Sequence, residues 1–366
     1  MHDDLSGARA RPLNDLLERA RAEQAFDHRK LRIAALPRSR SNMAFFELGD
    51  PMGTPLLCLH GLSVSGYFFE QFHAHFARHG IRAVAPCLLG GISMPEPACT
   101  VDDLVDELVE LLDVLGIHRC DTLGFSWGTL PQLALLARAP QRIGRAGFLG
   151  PMVPLRFLGP QDLAGMKADV RLSLGMVGRA PWLHRALMAC VCRLPISALM
   201  RQFEDEHLSA AERQALAPGS AFSRHFAHCL RECIRTGSGF FTQGWRMFLD
   251  EPGYTLAELA GVAARVDVRF YIGEQDNVHL PAVAQRLAAA CAPAAGMAAT
   301  AIDVAHVART GNPQPQQGSS GAAGVFQRVA EPGPASIWMA PGAGRLACIL
   351  YVKEALDHLM SEPAAH

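Results

Sequence analysis

Residues 120–125 read as a buried strand and 127–139 as a helix, and a single residue, Ser126, joins them. So abrupt a change of direction limits what the chain can fold into. Strand and helix pass so closely that side chains two positions before and after the turn would collide. Glycine stands at both places, as Gly124 and Gly128. The turn residue is forced into a strained backbone conformation that projects its side chain above the sheet. Pro131 falls in the first turn of the helix, where a missing N–H does little harm.

The surrounding pattern supplies a sheet for this turn. Short apolar segments at 31–36, 43–48, 55–60 and 81–86 are bounded by turn residues such as Gly49-Asp50-Pro51 and read as strands. Residues 100–116 form the clearest helix. Thr100 and Asp103 make a capping box with Asp in place of Glu. Leu104, Val105, Leu108, Leu111, Leu112 and Leu115 lie on one stripe, and Gly116 supplies a left-handed stop. A strand at 145–149 follows. From about 151 to 251 strand signals vanish, and helical segments rich in Met, Phe and Trp replace them. Alternation resumes with a strand at 266–272, a helix at 280–292 and a strand at 300–304. The expected fold is α/β, a mostly parallel sheet covered by helices on both faces, with an all-helical lid inserted. Residues 1–30 read as a helical extension, 31–151 and 262–366 as the core, and 152–261 as the lid. Within the core, 308–335 is rich in Gly, Pro, Ser and Gln and reads as a flexible inserted loop before a closing helix at 346–360.

Composition narrows the function. The 366 residues are 49% hydrophobic with a net charge of −1, so no whole-chain field draws the protein to nucleic acid or an anionic membrane. The charged start and the lack of a long apolar stretch fit a cytoplasmic protein. Cys58, Cys87, Cys120 and Cys348 lie in apolar runs, where a reduced thiol acts as a small hydrophobe. His225, His228, Cys229 and Cys233 have helical spacing that could hold a metal, but structural zinc sites show tighter ligand pairs, so no metal and no cofactor is expected.

Gly124-Phe125-Ser126-Trp127-Gly128, set between strand and helix, resembles the nucleophile elbow of the α/β-hydrolase superfamily. The resemblance covers roughly 40–150 and 262–306, and the helical block falls where that family carries a cap. Leu59-His60-Gly61-Leu62 is similar to the turn before the family's oxyanion loop. The resemblance implies Ser126 as nucleophile and the backbone N–H groups of Leu62 and Trp127 as the oxyanion hole. His60 reads as a turn residue. Cys87 stands where the family usually has a structural Asp.

A serine hydroxyl needs a base, and the base needs an orienting acid. Family order places the acid and then the histidine after the serine. Gly273-Glu274-Gln275-Asp276 follows a strand in the manner of the family's acid turn, which makes Asp276 the acid, with Glu274 second. His306 lies at the end of the 300–304 strand and is the expected base. Pro341-Gly342-Ala343-Gly344-Arg345 looks more like the family's histidine turn but carries Arg345, which cannot act as a base. His279 is placed at the rim of the site, and His225, His228 and His358 on lid or surface helices.

The expected function is a serine hydrolase that cleaves an ester, thioester or related acyl bond of a small apolar substrate. The same constellation serves an acyltransferase or a C–C bond hydrolase, and Arg345 leaves room for a degenerate, non-catalytic ligand-binding form. Dehalogenase and epoxide hydrolase chemistry is disfavoured, since both need Asp where Ser126 stands. Expected partners are the small substrate and a second copy in a homodimer, with no nucleic acid and no membrane.

Overall fold

The computed structural model describes residues 30–89, 99–204, 206–234, 237–263, 266–291, 326–329 and 335–361. Nine strands form one sheet in the order β1-β2-β4-β3-β5-β6-β7-β9-β8. They are β1 (Leu31–Leu36), β2 (Ser41–Gly49), β3 (Thr54–Leu59), β4 (Ile81–Pro86), β5 (Cys120–Phe125), β6 (Ile143–Leu149), β7 (Asp267–Gly273), β8 (Gln327–Val329) and β9 (Ala335–Ala340). From β4 through β3, β5, β6 and β7 to β9 every pairing is parallel. β1 and β2 at one edge and β8 at the other join antiparallel.

Alternate residues of the central strands feed two cores, one on each face. Leu57 and Leu59 of β3 and Phe270 and Ile272 of β7 point to the core that holds the helices Val101–Val114, Thr129–Arg138 and Pro281–Ala290. Leu56 and Cys58 of β3 and Tyr271 of β7 point to the other, with Phe76 and the helix Val352–Ser361. Burial on both sides explains why these strands read as apolar runs rather than alternating ones. The capping box forms as expected: Thr100 Oγ1 accepts from the Asp103 N–H, and Asp103 accepts from the Thr100 N–H.

Of the expectations for the C-terminal part, one falls outside the described residues and one is corrected. The strand expected at 300–304 lies outside the described residues, and the position beside β7 is filled by β9. The loop expected over 308–335 ends earlier, because Gln327–Val329 pairs with β9 as the edge strand β8. Ala335–Ala340 is short and follows Pro and Gly residues, so its strand signal is weak in sequence and is supplied by pairing with β7.

Between β6 and β7 the described residues contain helices and no strand. This insertion is tied down over the ends of the strands. The Lys167 N–H donates to Asn277 O at 3.0 Å, and Arg286 pairs with Asp162 at 2.6 Å. The helix Thr129–Arg138 is pinned beneath the turn by Gln132, whose buried Nε2 donates to Thr122 Oγ1 and Gly147 O, both at 2.9 Å. Gln132→Ala removes these bonds and opens a void between helix and sheet. It should destabilise the fold by about 2–4 kcal/mol in urea unfolding.

Candidate active site

Every group of the site comes from the C-terminal ends of the parallel strands, where loops in α/β sheets present their side chains. Ser126 follows β5 with φ at 52°, a left-handed conformation that a side-chain-bearing residue holds only under constraint. The constraint is visible in the flanking glycines. A Cβ on Gly128 would sit 2.5 Å from Leu59 O and 2.6 Å from His60 O, so the start of the helix lies against the end of β3. A Cβ on Gly124 would sit 2.3 Å from Gln132 Oε1. The two glycines thus relieve different contacts, Gly124 with the helix and Gly128 with the neighbouring strand. Thr129 locks the turn: its hydroxyl donates to Ser126 O at 2.6 Å and accepts from the Met152 N–H at 2.8 Å.

The imidazole beside Ser126 is that of His279. Its Nε2 lies 2.9 Å from Ser126 Oγ, and its Nδ1 lies 2.8 Å from Asp276 Oδ2. A carboxylate only accepts, so Nδ1 carries the proton and the Nε2 lone pair faces the serine hydroxyl. Both acid and histidine sit on one turn. Asp276 Oδ1 accepts from the Val278 and His279 N–H groups, each at 2.8 Å, which folds the chain back and brings residue 279 over its own acid. Both side chains are buried. Gly150, with φ at 55°, clears their space: a Cβ there would lie 2.9 Å from the His279 ring.

Asp276, the expected acid, thus lies against the His279 ring, whereas Glu274 accepts from the Gly342 N–H at 2.8 Å. His279, expected at the rim, occupies the position assigned to His306, which lies outside the described residues. A separation of three residues looks too short for an acid–base pair unless the Asp is seen to close its own turn. The signal in sequence is a His two residues before Pro281, which opens the next helix.

Leu62 and Trp127, the expected oxyanion donors, line the same cavity as Ser126. A Cβ on Gly61 would lie 2.8 Å from the Phe125 ring and 3.4 Å from Ser126 Cβ, which sets the Gly61-Leu62 backbone beside the nucleophile. Trp127 begins the helical turn after Ser126, and its indole donates to Gly244 O in the insertion at 2.9 Å. His60 is a turn residue. Its Nε2 accepts from the Leu88 N–H at 2.9 Å, which leaves Nδ1 to donate to Gly61 O at 2.8 Å. Burial lowers its pKa from 6.5 to about 4. Cys87 is a buried thiol pushed up by burial, with its N–H on Ala44 O.

A cavity of about 280 Å³ opens above Ser126 and His279. Its walls are largely apolar and come from the loop of Leu62, from Met152 and from insertion residues including Phe226, Phe241, Trp245 and Phe248. On the helix Ala221–Ile234, Cys229 Sγ lies 3.4 Å from His225 Nε2. His225 Nε2 contacts Phe68 O, and burial holds Cys229 and Cys233 as thiols. His75, His79 and Asp357 form a compact group elsewhere, in which His75 pairs with Asp357 at 2.8 Å. Among the described residues no helix is long and apolar enough to cross a membrane.

The family model of the alpha/beta hydrolase fold matches residues 54–178. A protein of Mycobacterium phage D29 named as a non-heme haloperoxidase is 37% identical over 99 residues, 26% of this chain and 36% of that protein. A haloalkane dehalogenase of Mesorhizobium japonicum is 34% identical over 116 residues, 31% of this chain and 37% of the relative. The chain thus spans little more than a third of the length of these curated relatives. A crystal structure from work on carboxylesterases of Nitrososphaera gargenis superposes with a TM-score of 0.58 at 14% identity, covering 90% of this chain and 97% of that one. The chain has the α/β-hydrolase fold.

Two measurements follow from the geometry. Gly128→Ala meets immovable backbone and should lose more stability than Gly124→Ala, which meets a side chain; the difference should exceed about 1 kcal/mol in denaturant unfolding. His60 refuses a proton that the unfolded chain binds, so its contribution to stability, complete above pH 6.5, is lost as pH falls toward 4. That share is about 3 kcal/mol. Unfolding free energies at pH 5 and 7 should differ less in His60→Asn than in the wild type.

Proposed function

We propose that the protein is a serine hydrolase acting on an acyl bond of a small, largely apolar substrate. The observation that carries this reading is the unbroken chain from Ser126 Oγ through the His279 ring to Asp276, at 2.9 and 2.8 Å, on a turn with φ at 52°. Ser126 Oγ attacks the carbonyl carbon as its proton passes to His279 Nε2. Asp276 holds the ring in the productive tautomer and stabilises the imidazolium. The N–H groups of Leu62 and Trp127 take the developing oxyanion, and being fixed backbone donors they need no reorganisation. The tetrahedral intermediate collapses, the C–X bond breaks, and the leaving group departs with the proton from His279. Water, deprotonated by the same ring, then attacks the acyl carbon and releases Ser126.

The apolar wall over the serine supports an apolar acyl group rather than a sugar. The likeness to a dehalogenase does not extend to that chemistry here, since Ser126 stands where displacement of a halide needs a carboxylate.

The test combines a fluorophosphonate probe with turnover of an activated aryl ester. Wild-type protein should be labelled at Ser126, and Ser126→Ala should not. His279→Ala should lose about 10³-fold or more in kcat/KM, while His306→Ala should retain turnover within about 10-fold. An unlabelled wild type sinks the hydrolase reading. Full activity in His279→Ala sinks the assignment of the base.

A further inference from the structure

The histidine turn of the superfamily is present after β9, but it presents Arg345, and the relay at Ser126 is complete without it. Arg345 lines the same cavity as Ser126 and His279. It is half-buried, and its interactions are sparse. Nη2 donates to Gln202 O in the insertion, and the guanidinium lies 5.6 Å from the Phe203 ring. Nε is buried with no hydrogen-bond partner. No carboxylate among the described residues lies within ion-pair distance of it. Glu212, beneath the same turn, has its oxygens on the N–H groups of Ser209, Gly344 and Leu346. Asp169, the one carboxylate on the cavity wall, is exposed at the mouth and pairs with Lys167 at 3.5 Å.

A fixed positive charge on an apolar wall, with an unmet donor buried behind it, is costly to keep. A planar anion relieves it, because the guanidinium fork matches a carboxylate in geometry and charge. We infer that Arg345 is a substrate-specificity residue that binds a carboxylate carried by the acyl substrate, so that the preferred substrate is a monoester or thioester of a dicarboxylic acid. This rests on the hydrolase reading and narrows its substrate class. The carbon chain between the two carbonyl groups lies along the apolar wall, the ester end at Ser126 and the free carboxylate at Arg345. Phe203 holds the guanidinium plane from one side and the Gln202 carbonyl aims it.

The experiment compares mono-4-nitrophenyl esters of succinate, glutarate and adipate with neutral 4-nitrophenyl esters of matching chain length. The wild type should favour the anionic ester at one or more lengths by about 10-fold or more in kcat/KM. In Arg345→Gln the anionic-to-neutral ratio should fall about 30-fold, the size expected for a charge-assisted pair. Arg345→Lys should recover part of the ratio, and the loss should lie mainly in KM. Equal ratios in wild type and Arg345→Gln, or preference for the neutral ester at every length, overturn the inference while leaving the hydrolase reading intact. Calorimetric titration of the wild type and Arg345→Gln with glutarate and adipate supplies a readout free of turnover. Arg345-dependent binding supports the anion site even if Ser126 proves unreactive, and no binding together with no turnover of anionic esters overturns it.

Discussion

The site depends on one close approach, that of Gly128 to the carbonyls of Leu59 and His60 at the end of β3. Only a residue without Cβ lets the helix start that near the neighbouring strand. With the helix so placed, the chain between it and β5 has a single residue in which to turn, and Ser126 takes a φ of 52°. The hydroxyl then stands clear of the sheet, and the Trp127 N–H sits at a helix start, where the backbone dipoles favour negative charge. The same contact orders His60, whose ring bridges the Gly61 carbonyl and the Leu88 amide and thereby sets the Leu62 loop across from the serine. Sheet geometry and candidate chemistry are one constraint seen at two scales.

The other half of the relay has a local origin. Asp276 caps its own turn through the N–H groups of residues 278 and 279, and its second oxygen orients the His279 ring. Carboxylate and imidazole thus need only one loop, and their relative position does not depend on how two strands pack. The neighbouring element must give room, and Gly150 does so from the end of β6. Because this loop already places an imidazole on Ser126, the turn after β9 need not supply one. That freedom accounts for an arginine there, facing the cavity beside Cys348 and tied to the insertion through Gln202.

Much of this was readable in the residues. The elbow announced itself through glycines at fixed offsets from Ser126, the helix at Val101–Val114 through its cap and stripe, and the strands through apolar runs that both faces of the sheet bury. Asp276 followed from its place after a strand. His279 did not, because sequence spacing carries no sign that an Asp will bend the backbone and put residue i+3 over its own carboxylate. His306 stood at a spacing that suits one helix and one strand, but β9 supplies that strand later, at Ala335–Ala340. Short strands held by a neighbour's hydrogen bonds, β8 and β9 here, leave little trace in composition, and Gly and Pro residues before them point toward a loop. Arg345 was visible as a departure from pattern, yet its meaning required the cavity.

The central claim is that His279, bonded at Nδ1 to Asp276, is the ring that serves Ser126. Proton NMR of the wild type tests this directly, since an Nδ1–H held between imidazole and a buried carboxylate resonates far downfield of the amide envelope. The account expects such a signal in the wild type and in His306→Ala, and its loss in His279→Gln. A signal that persists in His279→Gln, or that disappears in His306→Ala, would contradict it.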